Sequence, residues 1–151
     1  MEYISAEEFL KQPKEVQEIF LEWWKCEEGD LYLDKKEYET DASFIDVLCC
    51  NMTLEGDIEG DWQYLKSISI PLLTECQLRR FIEEKTNGIV KLIQWHPSID
   101  NEKHGYEIHI LAKDKYKVLC TFNYKLLGID LLQAYWKVAI QIAEQEGKQN
   151  D

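Results

Sequence analysis

Between residues 74 and 124 the chain offers one helix with complete end signals and then three strand-like runs in quick succession. Nothing else in the sequence restricts the fold as much. Thr74 and Gln77 stand in capping-box spacing, Leu73 and Leu78 occupy the staple positions, and Asn87-Gly88 supplies a left-handed stop. Leu78, Phe81 and Ile82 form its apolar stripe. The runs 89–95, 106–112 and 116–124 follow, the last two joined by Lys113-Asp114-Lys115, a length suited to a tight hairpin. A strand–strand–strand order without intervening helices predicts an antiparallel meander with one face packed on helices. On the last strand, alternation places Tyr116, Val118, Cys120, Phe122 and Tyr124 on one face.

Upstream, Ser5 and Glu8 form a second capping box, and Pro13 ends that short helix and opens another. In the second helix Val16, Ile19, Phe20 and Trp23 fall at i, i+3, i+4 and i+7, with Glu15, Glu18 and Glu22 off the stripe and Gly29 as the stop. Strands are expected at 31–33, 44–50 and 62–70, and an Asp130-capped helix to about Glu146. The expected fold class is α+β: an antiparallel sheet of about five to six strands packed by N-terminal, central and C-terminal helices. With 151 residues the chain fits a single α+β domain, 1–151.

Charge bears on function more than on fold. Residues 1–62 carry 18 acidic and 5 basic side chains, whereas 63–151 carry 11 and 12, so the net −12 sits at the front of the chain. Such a balance disfavours direct nucleic-acid binding and marks either an interaction surface or a solvated acidic face. Within it, Glu55, Asp57, Glu59 and Asp61 occupy every second position. In an extended backbone they would project from one face about 6.6–6.8 Å apart, close to the phosphate spacing of a nucleic-acid strand. The plainer alternative is a glycine-loosened loop between Gly56 and Gly60. Trp24 and Trp62 are candidate apolar anchors, since Trp is enriched in binding hot spots; packing beneath the loop is the alternative for Trp24.

Catalytic and metal chemistry find little support. Phosphate-loop, dinucleotide and nucleophile-elbow patterns are absent from the sequence. His96, His104 and His109 cluster within fourteen residues, and Glu107 shares a strand face with His109, yet no metal-ligand spacing recurs. Cys120 lies on the strand next to His109 but shares its predicted face with Val118 and Phe122, which reads as a core thiol. Lys113, Lys115, Lys117 and Lys125 form the one locally basic region, suited to a phosphate-bearing ligand or to protection of a sheet edge. No metal, cofactor or enzymatic activity is expected. The N-terminus lacks the features of a secretory leader, no apolar run suits a membrane span, and five cysteines, two adjacent, suit a reducing cytosol.

The segment Ile70-Pro71-Leu72-Leu73-Thr74-Glu75-Cys76-Gln77-Leu78-Arg79-Arg80-Phe81-Ile82-Glu83-Glu84-Lys85-Thr86 resembles one found in small accessory proteins of phages and prophages of Gram-positive bacteria. Tyr3 to Leu10 with Trp23-Trp24-Lys25, and Leu131 to Ile140, are similar to the ends of the same family. Proline and glycine stand in that pattern where this chain has Cys26 and Cys76. The resemblance implies a viral accessory protein and brings no catalytic residues. With the charge split it leads to an expected function: a non-catalytic, anti-CRISPR-like or other anti-defence inhibitor in the host cytoplasm. Its expected partner is a host protein with a basic nucleic-acid-binding groove, met by Glu55, Asp57, Glu59 and Asp61 with Trp24 or Trp62. The alternatives are a self-associating structural or regulatory phage protein, and a small ligand-binding protein or enzyme using the His96–His109 region.

Overall fold

A computed structural model describes residues 2–40, 45–47, 58–99, 102–114 and 116–150. The chain is α+β and divides into two compact units, one of Ile4–Leu73 and one of Met1–Tyr3 with Thr74–Asp151.

The first unit opens with α1 (Ala6–Leu10), where Ser5 Oγ accepts from Glu8 N at 3.2 Å and the Glu8 carboxylate reaches back to Ser5 N. Pro13 then caps α2 (Lys14–Trp23), whose stripe of Val16, Ile19, Phe20 and Trp23 is buried as the spacing predicts. The Phe9 and Phe20 rings meet with centroids 6.2 Å apart, tying α1 to α2 through an edge-tilted aromatic contact. There follow β1 (Leu31–Asp34), α3 (Lys35–Glu39), β2 (Asp46–Val47), α4 (Ile58–Ile68) and β3 (Ser69–Pro71). The three strands form an antiparallel sheet in the order β2-β1-β3. Asp34 both ends β1 and caps α3, its carboxylate accepting from Lys36 N at 2.8 Å.

Two expectations fail here. Residues 62–68 are helical rather than extended. Ile58, Trp62 and Leu65 recur at i, i+4 and i+7, a helical spacing that the imperfect alternation concealed, and only Ser69 to Pro71 continue as strand. Moreover, α2 stops at Trp23, six residues before Gly29. Adjacent helical side chains point about 100° apart, so one helix face cannot bury both Trp23 and Trp24. Trp24 leaves helical geometry at ψ 115 and is only 1% exposed. Cys26 follows at φ +54, where the chain turns back.

The second unit begins at the Tyr3–Thr74 bridge and runs through α5 (Glu75–Thr86), β4 (Gly88–Trp95), β5 (Gly105–Ala112), β6 (Val118–Phe122), α6 (Tyr124–Leu127) and α7 (Leu131–Asn150). Here the sequence reading of the helix caps holds, while α7 runs on to Asn150, past the expected end near Glu146. Thr74 and Gln77 close a capping box, Asn87 takes the left-handed stop at φ 48, and Asp130 Oδ1 accepts from Gln133 N at 2.7 Å. The meander β4-β5-β6 is antiparallel and is a separate sheet of three strands. Two three-stranded sheets therefore replace the expected single sheet of five to six strands. The helical stretch 58–68 takes the place of the strand that would have extended one sheet.

Val90, Ile108, Ile110 and Phe122 are buried on one meander face; α5 packs on β4 and α7 packs on α5. Glu83 adds a polar tie, its Oε1 accepting from Val90 N at 3.0 Å. Lys85 and Glu146 join α5 to α7 at 2.7 Å. Gly105 is required where it stands: at φ +118, an added Cβ would lie 2.3 Å from the Gly128 carbonyl oxygen.

β6 corrects the expected face. A register shift lies between Ile110 and Leu111, so Cys120 opposes Ile110 while Val118 opposes Leu111. Ile110 and Leu111 point to opposite sheet faces, so the bulge takes Val118 off the face that Cys120 and Phe122 share with Ile110 and Ile108. Cys120 is nevertheless exposed and is not a core thiol. Of β6 only Phe122 is buried.

Candidate functional site: the acidic face of the first unit

The charge split follows the division into units. Residues 4–73 carry 17 acidic and 6 basic side chains, a net of −11, and the remaining residues are nearly neutral. Along α2 the buried stripe fixes what lies opposite it. Once Val16, Ile19, Phe20 and Trp23 turn inward, Glu15, Glu18 and Glu22 at i, i+3 and i+7 form an exposed row. Glu27 and Glu28 extend the acidic surface past the helix end, and Glu37 and Glu39 carry it onto α3.

The turn after α2 is held by one carboxylate. Asp30 Oδ2 accepts from Trp24 Nε1 at 2.6 Å and from Glu27 N at 2.9 Å. Burial there also pushes the Cys26 thiol up to about 11, which keeps it protonated and inert.

An open cleft of about 470 Å³ lies beside the glutamate row, lined by Glu18, Leu21, Glu22, Lys35, Gln63, Lys66 and Ser67. Its two lysines do not neutralise its two glutamates. Lys35 Nζ donates to the Ser67 carbonyl at 2.7 Å, and Lys66 Nζ donates to the Glu22 carbonyl at 3.2 Å. Among the described residues the carboxylates of Glu15, Glu18, Glu22, Glu28, Glu37 and Glu39 have no ion-pair partner. Glu7 differs: Lys11 bonds it at 2.7 Å and holds its carboxyl below the usual range.

The residues expected to form the site fare unevenly. Glu55 and Asp57 lie outside the described residues. Positions 59 and 61 fall in the first turn of α4, where residues two apart are about 200° apart around the axis, so that part of the row is not extended. Trp24 is a core residue with its indole N–H bound to Asp30, and offers no surface to a partner. Trp62 is half-buried on α4, two residues from the exposed Tyr64. Sequence reasoning set the glutamate row of α2 aside as solvent-facing. Its period was visible, but the two lysines bonding to backbone carbonyls were not.

In the second unit His96 and His104 are exposed, and His109 bonds Glu107 at 2.5 Å across one strand face. Among the described residues no group of three or more His, Cys, Asp or Glu side chains is placed to hold a metal ion, and no helix is long and apolar enough to cross a membrane. Lys113, Lys117 and Lys125 are exposed around the β5–β6 turn and α6, and Lys115 lies outside the described residues. No family model, curated protein or solved structure matches this chain.

Proposed function

We propose that this chain is a non-catalytic, phage-encoded inhibitor of the anti-CRISPR or wider anti-defence type. It acts in the host cytoplasm by offering the acidic face of its first unit to a basic groove built for nucleic acid. The observation that carries this reading is the set of exposed glutamates on α2 and α3 without ion-pair partners, on a unit of net charge −11. Unpaired carboxylates on one helix face retain their field for an incoming cation, which raises association rates and favours a basic partner over others. The cleft between α2 and α4 is large enough to receive one arginine or lysine side chain between Glu18 and Glu22. Glu55, Asp57, Glu59 and Asp61 add to the charge of the same unit, and Trp62 supplies an apolar edge. The resemblance to phage accessory proteins agrees with an inhibitor that works by occupying a site.

The test is capture from a lysate of a Gram-positive host on the immobilised chain, washed at low and then high salt. Two variants run beside it, E15Q/E18Q/E22Q and E55Q/D57N/E59Q/D61N. A nucleic-acid-handling protein retained at low salt, released at high salt and lost from either variant supports the reading. Equal retention by all three chains, or indifference to salt, refutes it. A second reading has its own support: β6 is an edge strand whose Val118 and Leu119 are 48% and 54% exposed, a surface suited to strand pairing between copies. Light scattering across a concentration series separates the two, because self-association requires a mass that rises with concentration.

A further inference from the structure

On the second unit, the face of the meander opposite the buried one carries a group that the acidic-face reading does not use. Register places Ile93 opposite Glu107 and Trp95 opposite Gly105, so the Trp95 ring lies diagonal to the Glu107 carboxylate. Trp95 Nε1 donates to Glu107 Oε2 at 3.2 Å, and Glu107 Oε1 bonds His109 Nε2 at 2.5 Å. Both carboxylate oxygens are thus engaged, and the indole is fixed by its edge with its ring available. Lys103 enters from the segment before β5. Its Nζ stands 4.4 Å from the Trp95 ring centroid and 6.0 Å from that of Tyr124, the first residue of α6. Three separate stretches of chain therefore bring two aromatic rings and a carboxylate around one ammonium group.

We propose that Trp95, Tyr124 and Glu107 form a receptor for an alkylammonium cation, in which the exposed Lys103 stands in for the ligand. The argument is one of chemistry. Aromatic faces attract cations through their quadrupole, and two rings with a carboxylate suit a weakly hydrated ammonium better than a strongly hydrated one. An exposed lysine over an indole gains only about two- to fivefold in its equilibrium. Lys103 is therefore replaceable by a methylated ammonium, which gives up its water more readily. This site is on the other unit and does not depend on the acidic-face reading.

The experiment follows the Trp95 indole N–H resonance of the full ¹⁵N-labelled chain, assigned with Trp95→Phe, during titration with tetramethylammonium chloride. Sodium chloride at matched ionic strength is the control. A saturable shift is expected, with affinity rising about two- to fivefold in Lys103→Ala and falling in Glu107→Gln. Lys103 is exposed, so its truncation leaves the sheet intact. The peptide Gly-Gly-Lys-Gly-Gly and its trimethyl-lysine counterpart form a second arm. Shifts with the peptides assign the site to protein-borne lysine, and shifts with tetramethylammonium alone assign it to small free cations. A Trp95 resonance that moves no more than in sodium chloride, in Lys103→Ala as in the parent chain, overturns the proposal. Equal affinity in those two chains overturns the role given to Lys103.

Discussion

Replacing Glu18 and Glu22 with glutamine should stabilise the fold and weaken the proposed binding. On α2, Glu18 lies i+3 from Glu15 and i−4 from Glu22, so its charge takes part in two like-charge pairs of about 0.2–0.5 kcal/mol each. Glu22 also sits in the last helical turn, where the macrodipole disfavours an anion by about 0.3–1 kcal/mol. Glu and Gln have nearly equal helix propensity, so the exchange leaves the backbone term unchanged. Lys35 and Lys66 line the same cleft but bond backbone carbonyls, so their screened attraction to the two carboxylates trims the gain without reversing it. The net is about 0.5–1.5 kcal/mol of added stability at low ionic strength. For a chain of this length that corresponds to a rise of about 1–6 °C in Tm. Thermal unfolding followed by far-ultraviolet circular dichroism in 10 mM salt measures it. In 1 M salt, where the Debye length is about 3 Å, most of the difference should vanish. A Tm that falls or stays constant at low salt, or a gain that persists in 1 M salt, would refute the reasoning. It would mean that these glutamates contribute to the fold and are not simply held out for a partner.

Two other outcomes follow from individual side chains. The His109 imidazole, with the Trp95 indole, holds the Glu107 carboxyl below the usual carboxylate range. A depressed folded value stabilises the protein above the unfolded value of 4.5 and is lost as pH falls through the folded one. Glu107→Gln should accordingly flatten the acid limb of the stability profile below about pH 4.5; an unaltered acid limb contradicts the pairing. Cys76 and Cys120 are exposed whereas Cys26 is buried with its thiol pushed up to about 11. In the native chain at pH 8, Cys76→Ser and Cys120→Ser should each remove one fast-reacting thiol equivalent in an aromatic-disulfide assay, and Cys26→Ser none. Rapid labelling at Cys26 would show that the turn after α2 opens.

Local signals and tertiary context divide the credit for this fold. The capping boxes at Ser5 and Thr74, the Asn87 stop and the Asp130 cap were legible because each is written within four residues of sequence. The stripe of α2 was equally legible, and with it the glutamate row on its opposite face. The sequence reading missed α3, α4 and α6. Two of these helices are only four or five residues long, and α4 carries aromatic residues that alternate as well as they recur. Burial of a second tryptophan ended α2 early, and one bulge took Val118 off the face of Cys120 and Phe122; neither is encoded in a local pattern.

The sequence by itself determined which elements exist where caps and periodicity agree, that the strands of the meander pair antiparallel, and that the negative charge gathers at the front of the chain. The tertiary structure alone decided that there are two sheets, and that Lys35 and Lys66 bond carbonyls and leave Glu18 and Glu22 unpaired. It also decided that Trp95, Lys103, Glu107 and Tyr124 meet. The reason is physical: caps and stripes are set by neighbours within about one helical turn, whereas partner choice among distant polar groups depends on distances that only the folded chain fixes.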